Sequence, residues 1–312
     1  MIKRLEERLK KIPVLGWITR KSKKIILPGM DGLSLYDLWE LYTVGIAKGA
    51  FSTRASAISF DFFMAIFPFL LFLLNLIPFI WFIEDFQSKL IVFIDQLLPP
   101  QTTGFFNDMF YDIANTPRAG LLSFVFLLSI YLMANGINGI FTGFRSSYHT
   151  HVFRGFWRQY IVAVGVSLIV ALLLLSTVIA TVYLTYTIEN LREYGVFRDS
   201  VGWVNAARYL VFVIMIYIGV ATLYFFGTRE GRKSKFFSVG ALFTTLLIML
   251  TTFLFGVYIT NFSSYNELYG SIGALLILMV YIWINANILL LGFELNAVLT
   301  RMREGIKKEE AL

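Results

Sequence analysis

The 312-residue chain contains no cysteine, only two histidines and few charged side chains, which make up 15% of its residues. Without cysteine it cannot form disulfides, use a thiol nucleophile or bind a metal through thiolates. Soluble domains carry about a quarter charged residues, whereas here long stretches have no charge at all. The composition therefore predicts a helical protein that crosses a membrane several times.

Recognisable catalytic apparatus is also missing from the sequence. The two histidines, His149 and His151, have no carboxylate nearby that would complete a metal site. The chain has no Walker-type phosphate loop, no G-x-S-x-G nucleophile motif and no H-E-x-x-H motif. We therefore expect neither an enzyme nor a bound cofactor or metal.

The net charge of +7 reflects 27 Lys and Arg residues against 20 Asp and Glu residues. A basic balance raises the question of nucleic-acid binding, but a membrane protein acquires it through the excess of Lys and Arg in cytoplasmic loops. We therefore expect no nucleic-acid partner. The first eleven residues lack the apolar core of a signal peptide, so the first membrane helix is expected to act as its own insertion signal.

One apolar run with a single carboxylate and five uncharged runs reach the roughly twenty residues that a membrane-spanning helix needs. The first follows Arg54 and contains Asp61, Pro68 and Pro78, which need protein or water as partners in lipid. We therefore predict an all-α polytopic protein with six transmembrane helices within residues 54–300. The other five runs are 119–144, 160–188, 209–228, 236–261 and 269–293.

Lys and Arg residues are concentrated in every second segment that connects the spans. They are concentrated in residues 1–54, in 145–158, in 228–235 and in the tail 301–312. The intervening connections contain few of them. By the positive-inside rule both termini are expected to be cytoplasmic.

The amino-terminal residues 1–53 are predicted to form cytoplasmic or interfacial amphipathic helices. Ser34 is expected to cap one of them, with Asp37 three residues later. The first outer loop, 84–118, has apolar residues at helical spacing, so two short helices should lie on the outer surface or cap the bundle. A basic cluster either binds anionic lipid headgroups or is simply solvated; it consists of Arg20, Lys21, Lys23 and Lys24.

Polar residues recur at helical spacing inside the predicted spans. Asp61 and Glu294 are the two acids there, both toward the cytoplasmic side, and span interiors are expected to hold no basic residue. Intramembrane carboxylates are candidate functional sites. We predict a cytoplasm-facing polar cavity lined by the first, second and last spans, with Asp61, Asn135, Asn138, Arg145, Asn287, Glu294 and Asn296 as its residues.

The alternative is that these groups only join helices, with Asn side chains hydrogen-bonded across interfaces and Arg145 paired with Glu294. In that case they stabilise the bundle and bind nothing. On either interpretation Gly136, Gly139 and Gly143 allow close packing of the second span.

Several stretches match a family pattern when they are taken together. They are Arg54-Ala-Ser-Ala-Ile-Ser-Phe with Ala65-Ile-Phe-Pro68, Gln96-Leu-Leu-Pro99, Asn135-Gly-Ile-Asn138 with Phe144-Arg-Ser-Ser-Tyr148, Arg154-Gly-Phe-Trp157, Tyr269-Gly-Ser-Ile-Gly and Leu291-Gly-Phe-Glu294-Leu-Asn296. Over about residues 35–303 the chain resembles the YihY/BrkB family of bacterial inner-membrane proteins, once labelled ribonuclease BN.

The resemblance implies a six-span protein of the bacterial inner membrane. Asn138, Glu294 and Asn296 stand at positions that match the family motif. Asp61 departs from it, because the family more often has Tyr or a small polar residue there. A role for Asp61 would therefore be particular to this chain.

The favoured function is transport or translocation of a lipid-like or amphipathic substrate, with membrane lipids as partners. Because no ATP-binding motif is present, transport would be passive, ion-coupled or dependent on another protein. A non-catalytic scaffold for envelope proteins, with or without homo-oligomer formation, is the alternative. A ribonuclease is the least favoured reading, because no paired carboxylates lie in a soluble segment.

Overall fold

Six long helices dominate the computed structural model, and each contains an apolar stretch long enough to cross a membrane. They are α1 (Ala50–Leu76), α2 (Leu122–Arg145), α3 (Phe156–Glu193), α4 (Ser200–Gly227), α5 (Val239–Phe262) and α6 (Ser271–Glu309). The predicted all-α, six-span architecture is thereby confirmed. The structure describes residues 21–26, 34–37, 39–40, 50–76, 88–90, 92, 122–145, 155–193, 200–228, 235–262 and 271–309.

Basic residues lie inside three of the spans, so the expectation of basic-free interiors was wrong; one of them is Arg158, near the start of the α3 stretch Phe156–Ile188. Arg54 falls within the apolar stretch of α1, Phe51–Leu70, and Arg208 falls within that of α4, Gly202–Gly227. Both helices begin earlier than the uncharged runs indicate, because a charged side chain can enter a span where another helix supplies a polar partner. The helix α1 also continues through Pro68; Pro78 lies outside the described residues.

The six helices form a closed ring in chain order. Each packs against the next, and α6 returns to pack against α1. Neighbours run antiparallel, so α1, α3 and α5 begin at the end where α2, α4 and α6 finish. We call this the basic end, because Arg145, Arg158 and Lys235 lie there.

The interior at the basic end is filled by an apolar cluster to which all six helices contribute. Phe144 of α2 and Phe293 of α6 stack there, with ring centroids 4.2 Å apart. A second cluster fills the opposite half around Leu70, Met133 and Leu278. Leu90, in the described part of the loop 84–118, is fully buried in that second cluster; whether the loop's two predicted helices cap the bundle stays a prediction.

The predicted helix start at Ser34 is confirmed. The backbone N–H of Ser34 donates to Asp37 Oδ2 at 2.7 Å, and the backbone N–H of Asp37 donates to Ser34 Oγ at 3.3 Å. This reciprocal pair is a capping box. Of the basic cluster, Lys21 and Lys24 are exposed, and Lys23 Nζ lies 4.4 Å from the centroid of the Tyr36 ring.

Arg20 lies outside the described residues, as do most of the predicted interfacial helices. Headgroup binding by the basic cluster therefore stays a prediction.

Candidate functional site

A buried ion pair joins the first and last helices near the basic end. Glu294 on α6 is 3% exposed, and Arg54 Nη2 on α1 lies 3.3 Å from its Oε1. Arg54 Nη1 also donates to the carbonyl oxygen of Gly143 on α2 at 3.2 Å. One guanidinium thus connects three helices and neutralises a carboxylate that would otherwise be very unfavourable in a membrane interior.

The helices α1 and α2 approach closely along a row of glycines. A Cβ atom at Gly136 would lie 2.6 Å from the Ala65 Cβ, and one at Gly143 would lie 2.6 Å from the Ile58 Cδ1. A Cβ atom at Gly139 would collide with the carboxylate of Asp61. The predicted packing role of the three glycines is confirmed, and it places Asp61 directly against the α2 backbone.

A row of polar side chains runs along the outward face of α2. Its members recur every three or four residues, which places them on one face of the helix. Tyr131 is 54% exposed, Thr142 is exposed and the others are half-exposed. We call this row the α2 polar stripe: Tyr131, Asn135, Asn138, Thr142 and Arg145.

The stripe points away from the bundle core. The buried residues of α2 that join the core lie on the other side of the helix, and they include Ile140, Phe141 and Phe144. At 100° per residue the mean direction of these three residues lies roughly 130° from that of the stripe, although Phe141 adjoins Arg145. Polar atoms therefore reach the surface that membrane helices normally present to lipid.

Gln159 on α3 organises one edge of the stripe. It is 4% exposed; its Nε2 donates to Asn138 Oδ1 at 2.7 Å and to Thr142 Oγ1 at 3.4 Å. Its Oε1 accepts from Arg145 Nη1 at 3.2 Å. Sequence reasoning missed Gln159, because a single amide at the start of a span resembles an ordinary interfacial residue.

Asp61 lies at the other edge of the stripe. Its side chain is half-exposed and packs on Gly139, whose position on the α2 helix adjoins that of Asn135. Among the residues that the structure describes, none forms a hydrogen bond or ion pair with its carboxylate. The stripe thus has a carboxylate on its α1 side and an amide-anchored guanidinium on its α3 side.

The seven residues predicted to share one cavity lie in separate places. Four of them, Asp61, Asn135, Asn138 and Arg145, belong to the outward surface around the stripe. Glu294 and Asn296 are buried in the interior, where Phe144 and Phe293 also stack in the core.

Asn287, the seventh residue, is half-exposed. Its amide donates to the carbonyl of Trp283 in its own helix at 2.7 Å. The predicted residues are therefore divided between an interior ion pair, a separate buried amide at Asn296, the outward surface around the stripe and the amide of Asn287.

The helices α4, α5 and α6 meet at a second buried polar contact. The hydroxyl of Tyr224 donates to the Leu289 carbonyl at 2.7 Å and lies 2.6 Å from Thr244 Oγ1. A Cβ atom at Gly292 would collide with the Thr244 hydroxyl and lie 2.6 Å from Tyr224 Oη. This contact was also missed, and its position in the core indicates a packing role.

Within the described parts of the chain, no three acidic or histidine side chains lie close enough together to hold a metal ion.

Comparison with known proteins agrees with this architecture. The family described as Virulence factor BrkB matches residues 45–311. The ribonuclease-like protein YfkH of Bacillus subtilis is 25% identical over 278 residues, which cover 86% of this chain and 96% of YfkH. A UPF0761 membrane protein of Glaesserella parasuis is 28% identical over 203 residues, or 65% of this chain and 68% of the relative. No solved structure matches. Because the family match spans most of the sequence, the chain belongs to the BrkB family of bacterial membrane proteins.

Proposed function

We propose that the protein moves a lipid-like or amphipathic molecule across the bacterial inner membrane. The polar part of the substrate travels along the α2 polar stripe while its apolar part stays in lipid. A headgroup loses its water as it enters hydrocarbon, and the lost hydrogen bonds are the main barrier to crossing. Side chains that offer hydrogen bonds at the lipid-facing surface lower that barrier.

The observation that carries the proposal is the contrast between two outward helix faces. The stripe extends fourteen residues from Arg145 to Tyr131, or roughly 21 Å at 1.5 Å per residue, against a hydrocarbon thickness of about 30 Å. On α5 the exposed positions over a similar length are instead Leu242, Leu246, Leu250 and Phe253. Asn138, Thr142 and Arg145 bond Gln159 on α3, but Asn135 has no hydrogen-bond partner among the described residues, so packing alone does not account for the whole stripe.

The proposed orientation places the basic end in the cytoplasm. It rests on the positive-inside rule, which also puts both termini there. The stripe would then open to the inner leaflet at Arg145 and reach the middle of the membrane at Asn135.

The direct test is lipid movement in liposomes that contain only the purified protein. We expect phospholipids with a fluorescent acyl chain to change leaflets faster than in protein-free liposomes. The double variant Asn135→Leu/Thr142→Val removes two polar groups of the stripe, each worth about 1 kcal/mol in hydrogen bonding. It should therefore slow movement about tenfold or more.

The matched control is Thr251→Val, a similar change on α5, where Thr251 Oγ1 donates only within its own helix. It should leave the rate unchanged. Rates no higher than those of protein-free liposomes for any lipid would contradict the proposal. A double variant as fast as the wild type would instead show that the lipid does not cross along the stripe.

A further inference from the structure

The carboxylate of Asp61 lies at membrane depth, and no basic side chain of the described residues pairs with it. It is seven residues beyond Arg54, roughly 10 Å along the helix and on the same face. Arg54 itself is held by Glu294 and by the Gly143 carbonyl. An ionised carboxylate in such a place is unfavourable unless a positive charge comes to it.

Gly139 keeps that carboxylate accessible from the stripe. Any larger residue at this position would occupy the space that the Asp61 side chain fills. As it is, the carboxylate lies against bare backbone at the edge of the polar surface, half-exposed. Glycine at position 139 therefore leaves room for the Asp61 side chain and leaves its carboxylate accessible.

The positive charge of the stripe lies on the opposite side. Arg145 is six residues beyond Gly139, roughly 9 Å along α2, and its guanidinium is anchored by Gln159. No hydrogen bond or ion pair joins Arg145 to Asp61. The amide and hydroxyl of Asn138 and Thr142 lie between the two charges and are tied to the same Gln159.

We propose that the stripe binds a zwitterionic headgroup, with a substrate ammonium at Asp61 and a substrate phosphate at Arg145. This inference rests on the proposed function and names its substrate class: amphipathic molecules that carry an amine and a phosphate in one headgroup. The ammonium gives Asp61 the cation that no described residue provides. The phosphate accepts charge-assisted hydrogen bonds from the guanidinium. The low dielectric of the membrane strengthens both charge–charge interactions.

The arrangement also predicts discrimination against anionic headgroups. A phosphate headgroup without an amine gains the contact with Arg145 but brings its negative charge near Asp61. Like charges within reach of each other in a low dielectric repel strongly. Phosphatidylethanolamine should therefore bind and move more readily than phosphatidylglycerol, although both have the same phosphate.

The experiment compares these two lipids, each labelled on an acyl chain so that the headgroup is unmodified. Movement is measured in liposomes, and binding to the purified protein is measured separately by native mass spectrometry. For the wild type we expect phosphatidylethanolamine to exceed phosphatidylglycerol at least fivefold in both measurements. Asp61→Asn should reduce phosphatidylethanolamine movement about tenfold and raise phosphatidylglycerol movement severalfold. Arg145→Gln should reduce both.

The two measurements separate the inference from the proposed function. Movement of both lipids at equal rates, or an equal effect of Asp61→Asn on both, would overturn the inference and leave translocation intact. If the protein binds phosphatidylethanolamine in preference to phosphatidylglycerol through Asp61 but moves neither lipid, the translocation proposal is overturned. The headgroup-binding site would then still stand. Thermal unfolding of Asp61→Asn should match the wild type, since its carboxylate stabilises no described contact; a large loss of stability would show that Asp61 serves packing and would also overturn the inference.

Discussion

Replacing Arg54 with alanine is expected to destabilise the protein by about 3–5 kcal/mol, the usual loss when one partner of a buried ion pair is removed. Glu294 would remain as a buried carboxylate without its cation, and the Gly143 carbonyl would lose a donor. The measurement is equilibrium unfolding of the purified protein in detergent micelles. The exposed Arg158, also at the basic end, provides the control variant Arg158→Ala, which should change stability by less than about 0.5 kcal/mol.

A double variant distinguishes the ion pair from a simple loss of side-chain volume. Arg54→Met together with Glu294→Met removes both charges and keeps long side chains, so it should be more stable than Arg54→Ala alone. If Arg54→Ala unfolds like the wild type, the ion pair does not hold α1 to α6. If the double variant loses the sum of the two single losses, packing rather than charge explains the contact.

The second large effect is expected for Gly292→Ala. The new methyl group would collide with the Thr244 hydroxyl and press on Tyr224 Oη, at the point where α4, α5 and α6 meet. Overpacking of a close-packed interior destabilises a protein by about 1–3 kcal/mol, and small residues at membrane helix contacts leave little room to adjust. Thermal unfolding in micelles should show a clear decrease in midpoint.

Two further variants test the cause of that decrease. Gly165→Ala on α3 adds the same methyl group in open space and should be neutral or slightly stabilising, because alanine is the better helix former. Gly292→Ala combined with Thr244→Ala removes the hydroxyl that the methyl group meets, so it should recover part of the loss. An unchanged midpoint for Gly292→Ala would show that the three helices are not in close contact there.

The helices could be predicted from the sequence because span length is a local property. Uncharged runs of about twenty residues must cross the membrane as helices, and all six were found. The apolar run of α1 begins after Arg54, whereas its helix begins at Ala50, because the rule stops at a charge. Inside the helix Arg54 is paired with Glu294, which is 240 residues away in sequence, so no local rule could include it.

The candidate site could be predicted only in part for a related reason. The spacing of Asn135, Asn138 and Arg145 correctly predicts one polar face on α2, but periodicity does not say whether that face points into the bundle or out of it. The direction depends on which face of α2 carries the core residues, such as Phe141 and Phe144. It also depends on the glycines against which α1 packs. The sequence also wrongly grouped Glu294 with this face. Its true partner, Arg54, is on another helix, and no local pattern encodes a contact between helices.

The interior ion pair and the outward stripe are linked through α2. Arg54 bonds the carbonyl of Gly143, next to Thr142 of the stripe, and the row of glycines between them holds Asp61 at the edge of the stripe. The buried charges therefore fix the position of α1 against α2. Because α1 and α2 are held together in this way, the distance between Asp61 on α1 and Arg145 on α2 stays fixed.

The central claim is that the α2 polar stripe is accessible to polar molecules at the middle of the membrane. The chain has no cysteine, so one introduced cysteine is a unique chemical probe. Asn135→Cys lies ten residues inside α2 from the basic end, roughly 15 Å. Leu250→Cys lies eleven residues inside α5 from the same end, at about equal depth, and Leu250 is 52% exposed on an apolar outward face.

The decisive measurement is the reaction of these two cysteines, in native membranes, with a charged thiol reagent that does not cross lipid. The account predicts that Asn135→Cys is modified readily while Leu250→Cys is not. Equal protection of both cysteines would contradict it, since the stripe would then be a surface as closed to polar molecules as the leucine face of α5.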